Sequence, residues 1–229
     1  MATRMHSTED YLEALYFLAF PIGEYGPIAS RGPAPAARVA EMLGVSAPTA
    51  SEMLKRLETD GLVSRRTGRP VLTNTGRAQA ERIVRNHRII ERFLTDFMGY
   101  TAAESHEHAD AMGDAFDDEM VGRLSERLGH PERCPHGWPI DTAVEQAENH
   151  DLRPLDAIEA PARATIVRLA EHNGDLLRWF YDQGLIPGTT LELTAIQPAA
   201  GQRTIRVAGT PREISDTAAA GLFVRVDAP

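Results

Sequence analysis

The spacing of apolar and polar residues in the first third of the chain predicts helices followed by a small hairpin. Apolar residues recur at helical spacing over residues 8–18. A stretch rich in Gly and Pro over 21–35 predicts a loop, and two short helices joined by a tight turn are expected over 37–43 and 46–61. Residues 63–72 have the pattern of strand, turn and strand, with arginines at the tip. This order of elements is typical of a winged helix-turn-helix.

The middle third predicts two long helices. The first runs from Asn74 or Thr75 to about Met98, and the second follows Thr101. An apolar stripe recurs at every fourth position of the second helix, at Met112, Phe116, Met120 and Leu124. Because the helix pair is small and its stripe is rich in Met and Phe, we expect part of the stripe to form a homodimer interface.

The last third changes to short strand-like runs. A stretch rich in Pro, Gly and His over 131–161 precedes them and has the composition of a linker. The strand-like runs are 164–169, 190–196, 204–207 and 222–226, with a short helix over 176–183. This pattern predicts a small β barrel. The fold class expected for the whole chain is therefore mainly α with a small β barrel.

Composition and charge narrow the function. The 229 residues are 42% apolar, and no apolar run reaches the length of a membrane span, so we expect a cytoplasmic protein with no membrane partner. The net charge of -9 argues against general affinity for nucleic acid. The acidic excess lies in residues 76–150, which carry 15 acidic and 8 basic side chains, whereas residues 1–75 carry 8 of each. A local basic face in the first third is compatible with DNA binding.

The second helix of the helix-turn-helix is the expected DNA-reading element. Its N-terminal end would enter the major groove, where hydroxyl groups suit phosphate oxygens and an acid suits the cytosine amino group. The candidate DNA-binding residues are Ser46, Ala47, Pro48, Thr49, Ser51 and Glu52 on this helix, with Arg65, Arg66 and Arg69 in the wing. Two short helices packed in a core are the structural alternative, and the basic wing argues against it.

Metal-ligating residue types recur at helical spacing on both long helices. His87 and Glu91 are four residues apart, so both side chains leave the same face of the first helix. His106, Asp110 and Asp114 form a second row with the same spacing on the next helix. Two facing rows of nitrogen and oxygen donors are how helical bundles build metal sites. The alternative interpretation of the first pair is structural: the histidine has its hydrogen bonds satisfied within the fold, and the glutamate pairs with a neighbouring arginine.

Two further segments add candidate ligands. Cys134, which is the single cysteine, is separated from His136 by one residue, so a turn can present a thiolate and an imidazole to one ion. Asp10 and Glu13 are three residues apart on the first helix, although acids in a first turn often only complement the helix dipole. A mixed set of imidazole, carboxylate and one thiolate suits a first-row divalent ion, whereas structural zinc prefers more thiolates.

These segments resemble the diphtheria toxin repressor family of metal-dependent regulators. The resemblance runs through TEDYLEALY, GVSAPTASEMLKRLETDGLV, LTNTGRAQAERIVRNHRIIERFL, HADAMGDAFDDEM and CPHGWPI, and it covers most of the chain. It implies a winged helix-turn-helix domain over 1–75, a helical dimerisation and metal-binding domain over 76–150, a linker over 151–162 and an SH3-like domain over 163–229. In such proteins a divalent ion licenses a homodimer to bind palindromic operator DNA and repress metal-uptake genes.

The resemblance also implies a first metal site. Its ligands would be His87, Glu91, His106, Cys134, His136 and an acid of the C-terminal domain. His106 is typical of the iron branch of the family, and Cys134 with His136 is typical of the manganese branch. Asp175 is the best match for the C-terminal acid, with Glu171 as its substitute. Asp175 fits equally well as the N-cap of the short helix that follows it.

A second site implied by the resemblance would draw on Asp10, Glu13 and Asp110. Asp110 occupies the position where the iron branch has a thiol, so an oxygen donor favours Mn(II) over Fe(II), with Zn(II) and other divalent ions as in vitro substitutes. Gly113 stands where the family pattern has a glutamate, and Asp114 stands where it has a histidine. Bound ions would neutralise acidic charge and clamp the first helix to the dimerisation domain.

Two other functions fit parts of the sequence. A winged-helix regulator that senses an organic ligand would show no effect of metal on its DNA affinity. A metalloenzyme using the same histidines is disfavoured, because no HExxH arrangement or nucleophile–base pair accompanies the ligands. We therefore expect no enzymatic activity.

Overall fold

The computed structural model divides the chain into two compact units, residues 1–85 and 86–229. The residues it describes are 6–19, 35–65, 69–112 and 115–227. The loop predicted over 21–35 lies almost wholly outside these ranges. Within them, no helix combines the length and the apolar composition that crossing a bilayer requires.

The first unit is a winged helix-turn-helix. In chain order its elements are α1 (Thr8–Ala19), α2 (Pro35–Met42), α3 (Ala47–Thr59), β1 (Val63–Ser64), β2 (Val71–Leu72) and the beginning of α4 (Asn74–Asp96). The two short strands pair antiparallel and form the wing. The predicted order of helix, helix-turn-helix and hairpin is confirmed.

Local side-chain contacts fix where these helices begin and end. Ser46 has an extended backbone, and its Oγ accepts a hydrogen bond of 3.2 Å from the backbone N–H three residues further on, so it is the N-cap of α3. Thr73 caps α4 in the same way, accepting from the N–H of Gly76 at 3.1 Å. Helix α3 ends at Thr59 with Asp60 as its C-cap, and Gly61 follows in the left-handed region with φ of 73°.

The core of the first unit forms around the apolar face of α1. The buried residues that pack together there include Tyr11, Leu12, Leu15, Tyr16 and Leu18 of α1, Leu54 and Leu57 of α3, Val63 of β1 and Val84 of α4. Alternation at helical spacing places these side chains on one face of each helix. The opposite face of α3 is left in solvent, as a DNA-reading helix requires.

The second unit contains the remainder of α4 and further helices. These are α5 (Ala102–Met112), α6 (Asp118–Arg127) and α7 (Thr142–Glu148). The single long helix predicted after Thr101 is therefore wrong, and Asp117 gives the reason. Its backbone is extended and its side chain accepts from the N–H of Met120 at 2.8 Å, so it starts a new helix. Within the predicted apolar stripe, Met120 is 44% exposed, and the other three side chains pack partly against a core formed by residues of α4, α5 and α6 with Ile140.

An antiparallel sheet completes the second unit. Its elements are β3 (Arg153–Pro154), β4 (Ala162–Leu169), α8 (Gly174–Asp182), β5 (Thr190–Gln197), β6 (Gln202–Val207), β7 (Thr210–Ser215), α9 (Asp216–Ala220) and β8 (Leu222–Val226). The strand order is β3-β8-β4-β5-β6-β7. Its core consists of alternate residues of the strands, among them Ile166, Leu191, Leu193, Ile205 and Val224. The predicted fold class, mainly α with a small β barrel, is confirmed, and the β part is a six-stranded antiparallel sheet.

Two details of this region differ from the prediction. The segment 151–162 was predicted as a linker, but Arg153 pairs with Val224 at the edge of the sheet and Leu155 is fully buried. The short, Pro-containing strand gave too little alternation to be recognised. Strand β7 was not predicted either, because its sequence TPREIS is polar and buries a single apolar side chain, Ile214, at the other edge.

Candidate metal centre and nucleic-acid interface

Four buried side chains from three segments of the second unit meet at one point. Glu91 comes from α4, Cys134 and His136 from the turn before α7, and Glu171 from the residues after β4. One donor atom of each lies within 4.8 Å of the others, and none of the four residues is more than 3% exposed. Nδ1 of His136 lies 3.3 Å from Glu91 Oε1, 3.2 Å from Glu171 Oε2 and 3.9 Å from Cys134 Sγ. We call this cluster the inner group.

The other nitrogen of His136 determines how the imidazole is oriented. Nε2 lies 2.7 Å from the backbone carbonyl oxygen of Ala102 in α5. Since a carbonyl can only accept, Nε2 carries the hydrogen and donates. Nδ1 is therefore the nitrogen that faces the other members of the inner group. An outer hydrogen bond of this kind is how proteins orient a histidine toward a metal ion.

Burial and mutual charge shift the acid–base properties of the inner group. Burial raises the pKa of the Cys134 thiol to about 12. Burial alone would also raise the pKa of Glu91, but the charges of His136 and His87 outweigh it and hold that pKa well below its usual range. For His136 burial opposes the charged form, and the carboxylate of Glu91 outweighs it and raises the pKa well above its usual value. The acids are thus ionised, whereas the imidazole and the thiol hold protons.

The donor set fits a divalent cation. Oε2 of Glu91 is buried, and no described residue forms a hydrogen bond with it. A buried carboxylate oxygen without a partner is costly, and a coordinated metal ion is one way to satisfy it. Glu91 and Glu171 supply oxygen donors, His136 supplies nitrogen and Cys134 supplies sulfur, which together suit a first-row divalent ion.

A second, more exposed group adjoins the inner one. His87, His106 and Asp110 present ligand atoms within 4.8 Å of one another, and we call them the outer group. His87 Nδ1 lies 3.3 Å from Asp110 Oδ1, and the Asp110 side chain is 42% exposed. Oε1 of Glu91 lies 3.0 Å from His87 Nε2 and 2.9 Å from His106 Nδ1. The shared carboxylate of Glu91 therefore joins the two groups.

The acid contributed by the C-terminal domain is Glu171, and the preference for Asp175 is corrected. The Asp175 side chain is fully exposed and faces Arg178 at 3.8 Å. The cap of α8 is Asn173, whose Oδ1 accepts from the backbone N–H of Leu176 at 3.0 Å. Glu171 lies nearer to the end of β4, and there it is buried beside His136.

The predicted ligands on helix α1 belong to the first unit. Asp10 Oδ2 accepts a hydrogen bond of 2.7 Å from the backbone N–H of Ser7, and the N–H of Asp10 donates to Ser7 Oγ at 3.3 Å. This reciprocal pair is a capping box, so Asp10 stabilises the start of α1. Glu13 is half-buried on the same helix. Asp114 lies outside the described residues.

Neighbouring residues that the sequence did not point to hold the Cys–Pro–His turn on the sheet. The Tyr181 hydroxyl donates to the carbonyl oxygen of Pro135 at 2.8 Å, and the N–H of Leu169 donates to the carbonyl of His136 at 3.0 Å. Gly137 has φ of 89°, and a Cβ at this position would lie 2.0 Å from the carbonyl oxygen of Val167. The turn therefore lies directly against β4, at a distance that only glycine allows.

The candidate nucleic-acid interface lies at the start of α3. Ala47, Pro48 and Glu52 are exposed, whereas Ser51 is half-buried. Thr49 is exposed, and its hydroxyl lies 2.7 Å from that of Ser46, which already caps the helix. In the wing, Arg65 and Arg69 are exposed, Arg65 pairs with Glu58 at 3.1 Å, and Arg66 lies outside the described residues. Among the described candidates, Ser51 is therefore half-buried and the others are exposed to solvent, although Ser46, Thr49 and Arg65 already have side-chain partners within the unit.

A winged helix-turn-helix together with clustered metal-type donors defines the class as a metal-dependent DNA-binding regulator. Models of three domains match the chain in order. The N-terminal DNA-binding domain of iron-dependent repressors matches residues 4–69, their metal-binding and dimerisation domain matches 73–142, and the FeoA domain matches 153–226.

Individual relatives agree with these matches. The diphtheria toxin repressor of Corynebacterium efficiens is 35% identical over 179 residues, covering 75% of this chain and 74% of its own. The iron-dependent repressor IdeR of Mycobacterium tuberculosis is 33% identical over 203 residues, covering 82% and 84%. The chain therefore belongs to the diphtheria toxin repressor family and is a metal-dependent transcriptional repressor, not an enzyme.

Solved structures are similar over nearly the whole chain. A manganese-dependent transcriptional repressor in complex with manganese matches with a TM-score of 0.85 and 30% identity, covering 96% of this chain and all of its own. The manganese regulator SloR matches with a TM-score of 0.77 and 28% identity, covering 98% and 100%. ScaR with bound zinc matches with a TM-score of 0.76 and 27% identity, covering 96% and 99%.

Proposed function

We propose that the protein is a Mn(II)-responsive repressor of metal-uptake genes that binds palindromic operator DNA as a homodimer. The observation that carries this proposal is the inner group, in which two carboxylates, one imidazole and one thiol are buried together. Glu91, Cys134, His136 and Glu171 would hold one ion. Occupancy would supply the positive charge that this buried group of acids needs.

The choice of Mn(II) over Fe(II) rests on donor chemistry. The outer group offers the oxygen of Asp110 beside two imidazoles, and its single carboxylate is open to solvent. Carboxylate donors suit Mn(II), whereas additional thiolates would favour softer ions. The similarity to a manganese-bound repressor supports the same choice. Fe(II) is the alternative, because the curated relatives include the iron-dependent repressor IdeR.

Homodimer formation is supported by apolar residues that the second unit leaves in solvent. Phe97, Met98 and Met120 are 61%, 52% and 44% exposed. Phe97 and Met98 are consecutive, and adjacent exposed apolar side chains mark interaction surfaces more often than isolated ones do. The match to a dimerisation domain over residues 73–142 supports the same conclusion. A two-fold dimer would present two copies of α3, so we expect a two-fold symmetric operator.

The test is a metal titration followed by DNA binding. Duplexes would be selected from a random pool with the full-length chain and Mn(II), and affinity would then be measured with Mn(II), anaerobic Fe(II), Zn(II) or a chelator. We expect palindromic sites bound tightly with Mn(II) and weakly with the chelator. Equal affinity in all four conditions would contradict metal control and favour an organic-ligand sensor. Tighter binding with Fe(II) than with Mn(II) at matched occupancy would assign the protein to iron.

We propose in addition that Asp10 contributes to the metal response by linking α1 to a bound ion. Since Asp10 also caps α1, the informative change is Asp10→Asn, which keeps an acceptor for the N–H of Ser7 and removes the charge. We expect weaker dependence of DNA affinity on Mn(II) with an unchanged melting temperature. Ser7→Ala is the matched control, because it weakens the cap and leaves the carboxylate. Unchanged metal dependence in Asp10→Asn would reject this role.

A further inference from the structure

A stack of three buried side chains lies beside the inner group. The guanidinium carbons of Arg88 and Arg168 lie over the Trp138 ring, 5.5 and 4.9 Å from its centroid. None of the three residues is more than 3% exposed. Two cations held over one desolvated aromatic ring are an unusual way to fill a core, because buried arginines need compensating partners.

Each member of the stack comes from a different segment that carries a donor of the inner group. Arg88 precedes Glu91 by one turn on α4, Trp138 follows His136 in the turn, and Arg168 precedes Glu171 at the end of β4. The three segments that must converge on one ion therefore also converge on one ring. Displacement of any segment would break a contact in the stack and a contact in the inner group together.

Helix α7 supplies the negative charge that allows the arginines to be buried. Arg88 Nη1 donates to Glu145 Oε2 at 2.6 Å and to the carbonyl oxygen of Pro139 at 2.7 Å. Arg168 Nη2 donates to Glu148 Oε2 at 2.8 Å. These directional contacts fix both guanidinium planes, which a purely apolar filling would not do.

Trp138 is also tied to the sheet through its own polar atom. Its Nε1–H donates to the backbone carbonyl of Leu169 at 2.8 Å, and its ring meets the Phe223 ring edge-on at 5.9 Å. The ring therefore has a defined orientation as well as a defined position. Phenylalanine could occupy the same space and keep the contact with both arginines, but it would lose this hydrogen bond.

We propose that Trp138 is a positioning residue for the metal site, holding the three ligand-bearing segments in register through Arg88 and Arg168. This inference rests on the proposed assignment of the inner group as a metal site. It predicts that the stack sets how tightly, and with which donors, an ion is held, although no atom of the stack is a ligand. Loss of an outer contact of this kind typically lowers metal affinity by about 10- to 100-fold.

The test compares Trp138→Leu and Trp138→Phe with the unaltered full-length chain. Mn(II) affinity would be measured by competition with a fluorescent chelator. Co(II) would serve as a probe of geometry, because thiolate ligation by Cys134 gives a charge-transfer absorption band. We expect Trp138→Leu to lose about tenfold or more in Mn(II) affinity and to weaken the band. Trp138→Phe should keep most of the Mn(II) affinity and most of the Co(II) band, since it retains an aromatic ring beneath the arginines.

Leu193→Ala is the matched control for simple destabilisation. Leu193 is buried in the same sheet core, and its truncation removes apolar volume without changing a member of the stack. It should lower the melting temperature while Mn(II) affinity and the Co(II) band stay as in the unaltered chain. Where Trp138→Leu does not fold, Arg88→Lys replaces it, because lysine keeps the charge opposite Glu145 and loses the planar stack.

The outcomes separate this inference from the proposed function. An unaltered chain that binds Mn(II) and Co(II), with Trp138→Leu binding both equally well, would overturn the positioning role alone. The same conclusion holds if Leu193→Ala weakens binding as much as Trp138→Leu does. An unaltered chain that binds neither ion would overturn the metal site and the positioning role together.

Discussion

The inner and outer groups share a carboxylate but lie in different environments. Glu91, Cys134, His136 and Glu171 are almost completely buried, whereas Asp110 of the outer group is 42% exposed. Buried donors interact strongly and are fixed by the packing around them. An exposed carboxylate is hydrated and screened, so it contributes less and exchanges more readily. If both groups hold ions, as proposed, we expect the inner group to set the affinity for the ion and the outer group to adjust it.

The largest effect should come from the residue that belongs to both groups. Glu91→Gln removes the charge that faces His87, His106 and His136 while keeping the shape of the side chain. We expect Mn(II) affinity to fall by at least about 100-fold, more than for a residue outside the ligand set. Isothermal titration with Mn(II) measures it. A loss of less than tenfold would show that the groups do not depend on a common carboxylate.

Acidity should weaken binding steeply at the inner group. His136 has a raised pKa and Cys134 a pKa of about 12, so both hold protons near neutral pH that an ion must displace. Affinity for Mn(II) should therefore rise with pH, by about tenfold per unit for each displaced proton and up to about 100-fold for two. Cys134→Ser should reduce the slope by one proton. A slope that is the same in both proteins would mean that the thiol does not ligate.

Removal of the outer carboxylate should have a smaller effect. Asp110→Ala leaves the inner group intact and should lower Mn(II) affinity by about tenfold or less, because the side chain is partly screened by water. Asp110→Cys should instead raise affinity for Zn(II) relative to Mn(II), since a thiolate is softer. Competition between the two ions measures this ratio. A loss in Asp110→Ala as large as in Glu91→Gln would remove the distinction between the groups.

The smallest effect should come from Asp175. Its carboxylate is fully exposed, so Asp175→Ala should leave Mn(II) affinity within about twofold of the unaltered chain. Glu171→Ala, four residues earlier in the chain, should lose far more because it removes one of the two buried carboxylates that face His136 Nδ1. The two variants measured side by side decide which acid completes the inner group.

Most of the fold could be predicted because helical spacing and helix caps depend on residues that are close together in the sequence. Apolar spacing identified α1 and α4, and the oxygen of Ser46 identified the start of α3. The separation of α5 from α6 was missed because Asp117, which caps α6, is equally compatible with being one more acid on a charged helix face. The edge strands were missed because they are short and polar, and their pairing with distant strands has no local signature.

Parts of the candidate site were also predictable. The spacing of His87 and Glu91, taken together with that of Cys134 and His136, indicated four candidate donors, whereas either pair alone had a plain structural alternative. The choice between Glu171 and Asp175 could not be made from spacing, because it depends on which of two nearby acids is buried when β4 ends. The Trp138 stack left no recognisable motif, since its three members lie far apart in the sequence and meet only through tertiary packing.

The close packing of the Cys–Pro–His turn against β4 at Gly137 has a consequence for the folding of the candidate metal site. The turn lies against Val167 with no room for even a methyl group, and the carbonyl of His136 accepts a hydrogen bond from the N–H of Leu169, so the position of the turn depends on β4. Strand β4 in turn pairs with β5 on one side and β8 on the other. Metal binding should therefore be coupled to folding of this sheet, because the inner group is complete only when β4 has joined it.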